Sequence, residues 1–581
     1  MKLDDCVVRI AGEGGEGVIS CGQLLTLAIA RAGYHVHTWK TFPSEIRGGL
    51  ARYQFRLKSE PVHSIGSSVD VLMAFNQEAV DDCCRDMSCK ARLVVYDPDT
   101  TKDIGCDAIP GNRYGIALNK ICKDATGGLR AKNVVAMGVV ARILNLDMPV
   151  CRQMIVDEWS RKGQEVVDMN QRALEAGYAR AGEEIKPADL IELPAPAKAG
   201  RRLLVMSGND AVALGALAAG CRVAGGYPIT PATSVFEYLC KVMPRFGGKA
   251  IQTEDEIAAL ATCIGASFAG KKAMTVTSGP GIALMCELIN LASMLETPVV
   301  IVDVQRGGPS TGLPTKTEQS DLSFATEGTP GEAPRIVLAA GDVEDCFHQT
   351  IRAFNLAEKY QLPVILMTDA SLAFRLQTIG EPDLGAVRLV ERERPGAEAI
   401  AAGYRRYKDT ATGVSPMAIP GTPGAAHIAS SLEHLETGAP DYSPAIHQKM
   451  TAKRFRKLDE VAKAEADSGV ADVREGARVG LISWGSTEGA IREARARLEQ
   501  EGIRTSYLHP RLLWPLADQV FRPFLAGHER IVVIEENFTG QLARILRARY
   551  LIEPIPVTKC AGAPFTPGEV YSAVKEAASR A

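Results

Sequence analysis

The 581-residue sequence contains no Cys-x-x-Cys pair. Its fourteen cysteines are scattered at irregular spacings, so the four-thiolate runs that hold iron–sulfur clusters are missing and no metal site is expected from the chain itself. Cys83, Cys84 and Cys89 come nearest to a cluster, and their spacing reads as part of a helix. No apolar run reaches the roughly 18 residues of a membrane-spanning helix, which excludes an integral membrane role. No charge dominates: 66 Lys and Arg stand against 69 Asp and Glu, a net charge of -3. That balance leaves no polyelectrolyte signal for nucleic acid. The N-terminus opens on a charged segment and a strand rather than an apolar leader, which implies a cytoplasmic protein whose cysteines are free thiols.

What the sequence does have is glycine, 54 residues of it, set between apolar runs. The chain is 46% hydrophobic and 23% charged, ordinary globular usage. Its length fits roughly three to five domains. The runs alternate between strand-like and helix-like patterns, which predicts an α/β protein of several doubly wound domains. Val7–Ile10, Val71–Asn76 and Leu93–Asp97 read as buried strands of a first domain, 1–190, with a helix from Val18 to Ala32 ending at Gly33. A Pro- and Ala-rich stretch, 191–200, reads as a linker. A second α/β domain, 201–375, has strands at Ala273–Ser278, Pro298–Val304 and Pro363–Asp369, and helices at Ile282–Glu296 and Val343–Lys359. An irregular polar segment, 376–474, carries a charged helix, Lys449–Asp467. A third α/β domain occupies 475–581.

Residues 11–17 read AGEGGEG between a strand and a helix, and Gly12, Gly14 and Gly17 match the GxGxxG fingerprint, with Gly15 inside it. A nicotinamide site would need an acid after the second strand, but that strand reads YHVHTWK. Glu13 and Glu16 also put negative charge into the loop. Two readings stay open: backbone N–H groups at the helix N-terminus hold a phosphate or other polar group, or the loop is a tight turn with no ligand. Arg47, before Gly48-Gly49, either presents its guanidinium to a phosphate or carboxylate or is a surface arginine.

Four segments of the second domain stand out. In GGYPITPAT, Gly225–Thr233, two prolines fix the backbone and Thr230 between them sits on a rigid bend, suited to a substrate oxygen or simply to a turn. Glu254, Asp255 and Glu256 open an almost wholly apolar helix. Acids there complement the helix dipole. A carboxylate at the mouth of a buried helix is also desolvated and thereby equipped for proton transfer. Ser278-Gly279-Pro280-Gly281 joins a buried strand to a helix, where open α/β sheets bind ligands. Val304–Leu322 follows another buried strand with the cations Arg306 and Lys316 among Gly, Pro, Ser and Thr, a loop able to hold a carboxylate or to lie in solvent.

YPITP (Tyr227–Pro231), QTEDEIAA (Gln252–Ala259), TSGPG (Thr277–Gly281) and QRGGPSTGLPTKTEQSDL (Gln305–Leu322) resemble the alpha subunit of 2-oxoacid:ferredoxin oxidoreductases, most of all the 2-oxoglutarate type. GEGGEGV and SEIRGG resemble that family's gamma subunit, and LISWGSTEGAI with IEENFTGQLA its transketolase C-terminal-type domain. The resemblance implies a gamma–alpha fusion: a CoA-handling domain at 1–190, a thiamine diphosphate pyrimidine-type domain at 201–375 and a transketolase C-terminal-like domain at 475–581. It implies CoA-dependent oxidative decarboxylation of a 2-oxo acid to acyl-CoA, CO2 and reduced ferredoxin, and the reverse carboxylation. Pyruvate or a branched or aromatic 2-oxo acid is the alternative substrate, and a non-catalytic nucleotide- or CoA-binding protein the distant alternative.

By resemblance, Glu256 is the glutamate that contacts the cofactor's pyrimidine N1′, with Glu254 as rival. Ser278 and Gly279 border the cofactor. Thr230 lies near the substrate with Tyr227, and Arg306 and Lys316 are candidates for its carboxylates. Gly12, Gly14, Gly15, Gly17 and Arg47 are candidates for CoA. Thiamine enzymes of this kind usually hold the diphosphate through Mg2+ with a GDG motif, and this sequence has none. The resemblance therefore implies that Mg2+ and a [4Fe-4S] cluster belong to a beta subunit, in an (alpha–beta)2 assembly served by ferredoxin.

Overall fold

Seven consecutive buried positions make Asp5–Glu13 a central strand rather than an edge. The computed structural model describes residues 1–43, 48–86, 89–106, 109–196, 200, 202–465 and 469–579. The chain divides into two compact units. The first comprises Met1–Met206 with Phe374–Glu381 and Thr566–Glu569; the second holds Ser207–Ala373, Pro382–Phe565 and Val570–Ala581.

The first unit is built on an eight-stranded sheet in the order Asn112–Gly115, Cys89–Tyr96, Val69–Ala74, Asp5–Glu13, Leu50–Lys58, His35–Thr41, Leu376–Gly380, Leu203–Ser207. It is mixed: Leu50–Lys58 runs antiparallel to both Asp5–Glu13 and His35–Thr41. The helix Val18–Arg31 after the glycine loop therefore leads to a strand that does not pair with the one before it, unlike the parallel pair of a dinucleotide-binding unit. Its apolar face packs with the helix Lys132–Ile143 in one core that includes Leu25, Ile29, Tyr53, Phe55 and Val135.

Three sequence expectations are corrected in this unit. Leu376–Gly380, expected in the irregular segment, is a strand of this sheet between His35–Thr41 and Leu203–Ser207, with Gln377 opposite His37. Cys89 opens a strand rather than lying in the helix Gln77–Arg85. Cysteines expected to be free are bridged, Cys83 to Cys89 and Cys84 to Cys106. The fold brings their Cα atoms to 5.6 and 5.9 Å, within the reach of a disulfide, which no spacing rule reports. Of the expected linker, residues 197–199 lie outside the described residues.

In the second unit a seven-stranded sheet runs in the order Leu512–Trp514, Ile336–Ala339, Pro363–Asp369, Val299–Gln305, Ala273–Thr277, Val223–Gly226, Lys249–Gln252. All neighbours are parallel except Leu512–Trp514. That exception comes from the C-terminal part of the chain, whose own five-stranded sheet is ordered Gly469–Asp472, Thr505–Pro510, Val479–Ser483, Arg530–Glu535, Ile555–Thr558. One apolar core serves both sheets: Ile301, Val337 and Ile365 share a cluster with Trp484, Leu513 and Phe521. The expected helix Ile282–Glu296 is two helices, Gly279–Leu284 and Cys286–Met294, meeting at Met285. In the segment 382–465 the charged helix is Pro444–Ala464, anchored where Lys453 and Lys457 both meet the fully buried Glu296. Among the described residues no helix is long and apolar enough to cross a membrane.

Candidate active site

Four adjacent strands of the seven-stranded sheet end at Gln252, Gly226, Thr277 and Gln305. The segments that follow are TEDE, YPITP, SGPG and RGGPSTG, so all four singled-out motifs leave the C-terminal edge of one parallel sheet, where such sheets bind ligands.

Thr253 ties the TEDE turn to the neighbouring strand end, its N–H and hydroxyl both donating to the Gly226 carbonyl. Asp255 caps the helix Glu256–Phe268, accepting from Ala258 N at 2.7 Å. The three acids are thereby sorted: Glu254 is exposed, Asp255 is used as a cap, and Glu256 begins the helix buried at 6% exposure. Its carboxylate lies over the SGPG turn. A Cβ at Gly281 would stand 2.7 Å from Glu256 Oε1 and 2.1 Å from Thr277 Oγ1, so only glycine fits. The buried Ser278 hydroxyl has no hydrogen-bond partner, and the Glu256 carboxylate has no hydrogen bond or ion pair among the described residues. An unengaged carboxylate, an unengaged hydroxyl and a glycine cradle fit the aminopyrimidine end of thiamine diphosphate, which offers ring nitrogens to hydrogen-bond and a flat face to approach.

Arg306 reaches across to the YPITP segment and donates from Nη1 to the Thr230 carbonyl at 2.5 Å. It is buried at 7% exposure and its Nε has no partner. Burial lowers its pKa, and the Asp321 charge opposes that shift. Thr230 is half-buried, while Tyr227 is 41% exposed. Gly307–Lys316 folds back on itself, Gly307 N–H donating to the Lys316 carbonyl at 3.0 Å and Leu313 N–H to the Gly307 carbonyl at 2.8 Å. Lys316 packs its stem against Gly562.

The residues after that loop are clamped by the C-terminal part of the chain. Gln319 donates from its N–H to the Glu536 carbonyl (2.7 Å) and from Nε2 to the Trp484 carbonyl (2.8 Å). It accepts from Glu536 N–H (3.0 Å) and from Asn537 Nδ2 (3.0 Å). Gln541 holds the Ser320 carbonyl and the Ser323 N–H. Two motifs read separately, TEQSDL and IEENFTGQ, are thus one joint. Sequence reasoning assigned Gln319 nothing. It also passed over Asp303, whose only signal was a single acid in the buried run VVIVDVQ, and Asp321.

In the first unit the glycine loop is shaped by close packing. A Cβ at Gly12 would stand 2.7 Å from Phe75 Cβ, and Gly17 (φ 85°) would place one 2.7 Å from Asn133 Cβ. Gly14 donates to the Gly49 carbonyl at 2.8 Å, and Gly15 is exposed. Glu16 does not repel a ligand from within the loop: its carboxylate accepts from Glu13 N–H and pairs with Lys132 at 2.9 Å. Arg47 lies outside the described residues.

Three domain descriptions match this chain: "Pyruvate ferredoxin/flavodoxin oxidoreductase" over residues 7–180, "Pyruvate flavodoxin/ferredoxin oxidoreductase, thiamine diP-bdg" over 214–453, and "Transketolase, C-terminal domain" over 469–573. The 2-oxoglutarate oxidoreductase subunit KorA of Mycobacterium tuberculosis is 32% identical, over 99% of this chain and 92% of that protein. The chain belongs to the 2-oxoacid:ferredoxin oxidoreductase family. Another member, the alpha subunit of 2-oxoacid:ferredoxin oxidoreductase 2 from Aeropyrum pernix, is 31% identical over 98% of this chain and 97% of its own length. A solved member, the 2-oxoglutarate:ferredoxin oxidoreductase of Magnetococcus marinus with 2-oxoglutarate, coenzyme A and succinyl-CoA bound, is 44% identical, with a TM-score of 0.93 and 99% of each chain covered. For this oxidoreductase family the thiamine diphosphate-binding description falls on the parallel strands of the seven-stranded sheet and the four loops, leaving out Leu512–Trp514.

Proposed function

We propose that this chain, with a beta subunit, catalyses the CoA-dependent oxidative decarboxylation of 2-oxoglutarate to succinyl-CoA, CO2 and reduced ferredoxin, and the reverse carboxylation. The observation that carries this reading is Glu256, a buried carboxylate left unengaged over a glycine turn at the C-terminal edge of a parallel sheet. The choice of 2-oxoglutarate is supported by the likeness, over 99% of both chains, to an enzyme holding that substrate with coenzyme A and succinyl-CoA.

Thiamine diphosphate supplies the electron sink for loss of CO2. The chain's own residues manage protons and orientation. Glu256 shares a proton with the pyrimidine N1′, a role suited to a carboxylate out of water. Glu254, exposed and two residues away, does not serve it. Ser278 and Gly279 border the ring. Thr230 and Tyr227 meet the substrate, and Arg306 and Lys316 provide the two cations that a five-carbon dicarboxylate needs. CoA is taken by the first unit through Gly12, Gly14, Gly15, Gly17 and Arg47. Mg2+ and a [4Fe-4S] cluster belong to the beta subunit, since the sequence has neither GDG nor Cys-x-x-Cys.

Large apolar side chains beside the motifs support a partner at this edge. Tyr227 (41% exposed), Ile257 (44%), Leu284 (52%) and Leu313 (47%) stay in solvent within a few residues of Thr230, Glu256, Gly281 and Arg306. The assembly is an (alpha–beta)2 enzyme served by ferredoxin, in the cytoplasm where its soluble co-substrates are. Co-expression with the beta subunit is expected to give 2-oxoglutarate- and CoA-dependent viologen reduction, and the purified chain none. Activity of the chain alone removes the two-subunit reading; a preference for pyruvate removes the substrate assignment.

A further inference from the structure

Lys316 takes its place from the C-terminal part of the chain. The strands Arg530–Glu535 and Ile555–Thr558 are parallel neighbours, so the loops that follow them leave the same edge of the five-stranded sheet. Both loops meet the residues that close the substrate loop. From the first, Glu536 and Asn537 hold Gln319 by its backbone and its side chain. From the second come Cys560 and Gly562. Cys560 donates from Sγ to Glu318 Oε1 at 3.1 Å. Gly562 stands against the Lys316 stem: a Cβ there would lie 2.8 Å from Lys316 Cβ, 3.1 Å from Cγ and 3.4 Å from Cδ. Lys316, Glu318 and Gln319 are thus set by the C-terminal part, and Thr317 between them by Asp369, its hydroxyl donating to Oδ1 at 3.2 Å.

The second loop is itself tied down. Lys559 N–H donates to the Glu535 carbonyl at 3.1 Å, Lys559 Nζ to the Pro564 carbonyl at 2.9 Å, and Phe565 N–H to Glu536 Oε1 at 3.0 Å. Glu536 is therefore shared: its backbone pairs with Gln319, and its carboxylate closes the loop that carries Cys560 and Gly562. Gly562 is buried with φ 63°, so conformation and space both select glycine. A lysine stem pressed against backbone has fewer rotamers open to it, and an ammonium at the end of such a stem is aimed before a ligand arrives. The Glu318 carboxylate, a buried group, takes its hydrogen bond from the Cys560 thiol, which fixes the chain two places beyond Lys316.

We propose that Gly562 and Cys560 are positioning residues for Lys316: the loop 559–565 restricts the lysine stem so that its ammonium meets the second carboxylate of a dicarboxylic 2-oxo acid, while Arg306, fixed on the Thr230 carbonyl, takes the first. Preference for a dicarboxylic substrate is thereby set from the C-terminal part of the chain. This rests on the reading of Lys316 as a substrate cation. Neither Gly562 nor Cys560 touches the substrate.

The test is a double-mutant cycle in the complex with the beta subunit, reading KM for 2-oxoglutarate apart from kcat. Gly562→Ala presses a methyl group onto the Lys316 stem and is expected to raise KM on the order of tenfold, about the loss of one hydrogen bond to a charged group, with the smaller effect on kcat. In a Lys316→Met background the same substitution should leave KM where Lys316→Met alone puts it. An unchanged KM in the first background overturns the positioning role. So does an equal rise in both, because the change then acts by general distortion. Cys560→Ala should also raise KM, and Cys560→Ser should restore it. Where Gly562→Ala fails to assemble, this pair decides, and an unchanged KM in Cys560→Ala overturns the proposal. Lys316→Met alone tests the reading beneath. If it raises KM while Gly562→Ala does not, the positioning role fails and the reading of Lys316 stands. If Lys316→Met leaves KM alone, that reading fails and the proposal with it.

Discussion

Three consecutive acids, Glu254, Asp255 and Glu256, meet three different fates within one turn of chain. Asp255 spends its oxygen on Ala258 N–H, which forces the next side chain inward and the previous one outward. Glu256→Gln in the assembled complex should cut kcat by about a hundred- to ten-thousand-fold, the usual worth of a positioned proton-transfer group, while Glu254→Gln should change it far less. Steady-state viologen reduction measures both, and equal losses would move the role away from Glu256. That these acids sit at the mouth of an apolar helix was legible before any coordinates; that Glu256 is the buried one is read from the fold. Asp303 was legible only as an oddity in VVIVDVQ.

At the scale of the element, the helix Pro444–Ala464 shows how an irregular segment is held. Lys453 and Lys457 reach one carboxylate, Glu296, at 2.7 and 2.6 Å, and all three side chains are 0% exposed. Arg406 donates to the Leu295 and Glu296 carbonyls beside them. Burial lowers Lys457 to about 7 despite its partner. Glu296→Gln leaves buried cations without their counter-charge and should cost about 3–5 kcal/mol; urea titration of the chain reads this as a lower midpoint with an unchanged slope. The sequence showed a charged helix in the right place but not its anchor, because Glu296 precedes Lys453 by 157 residues. The same limit hid the strand Leu376–Gly380, whose Gln377 pairs with His37 from the start of the chain: strand alternation and motif spacing are local, whereas strand pairing joins distant segments.

At the scale of the whole molecule, the two sheets of the second unit share a core, so they should not unfold separately. Trp484 is 0% exposed within the common cluster. Trp484→Ala should destabilise the second unit by about 3–5 kcal/mol, and scanning calorimetry should show one transition for that unit moving as a whole. A split into two transitions would mean that the thiamine-type and C-terminal parts are independent. That a thiamine-type domain precedes a transketolase C-terminal-like one was readable from the motifs. That two of those domains fold as one was not, because the apolar residues that join them look like any other core residues.

The closed base of Gly307–Lys316 has a mechanical consequence. Its two ends are hydrogen-bonded to each other at 3.0 Å, Arg306 is fixed just before it and Gln319 just after it. The tip, Gly308–Gly312, is exposed beyond the bond from Leu313 N–H to the Gly307 carbonyl. A change of length there leaves the bonds at the base and at Arg306 untouched, and lengthening such a loop costs little, only about 0.6 kcal/mol for each doubling. The tip is therefore the part of the site free to vary in shape while the chemistry beneath it keeps its alignment.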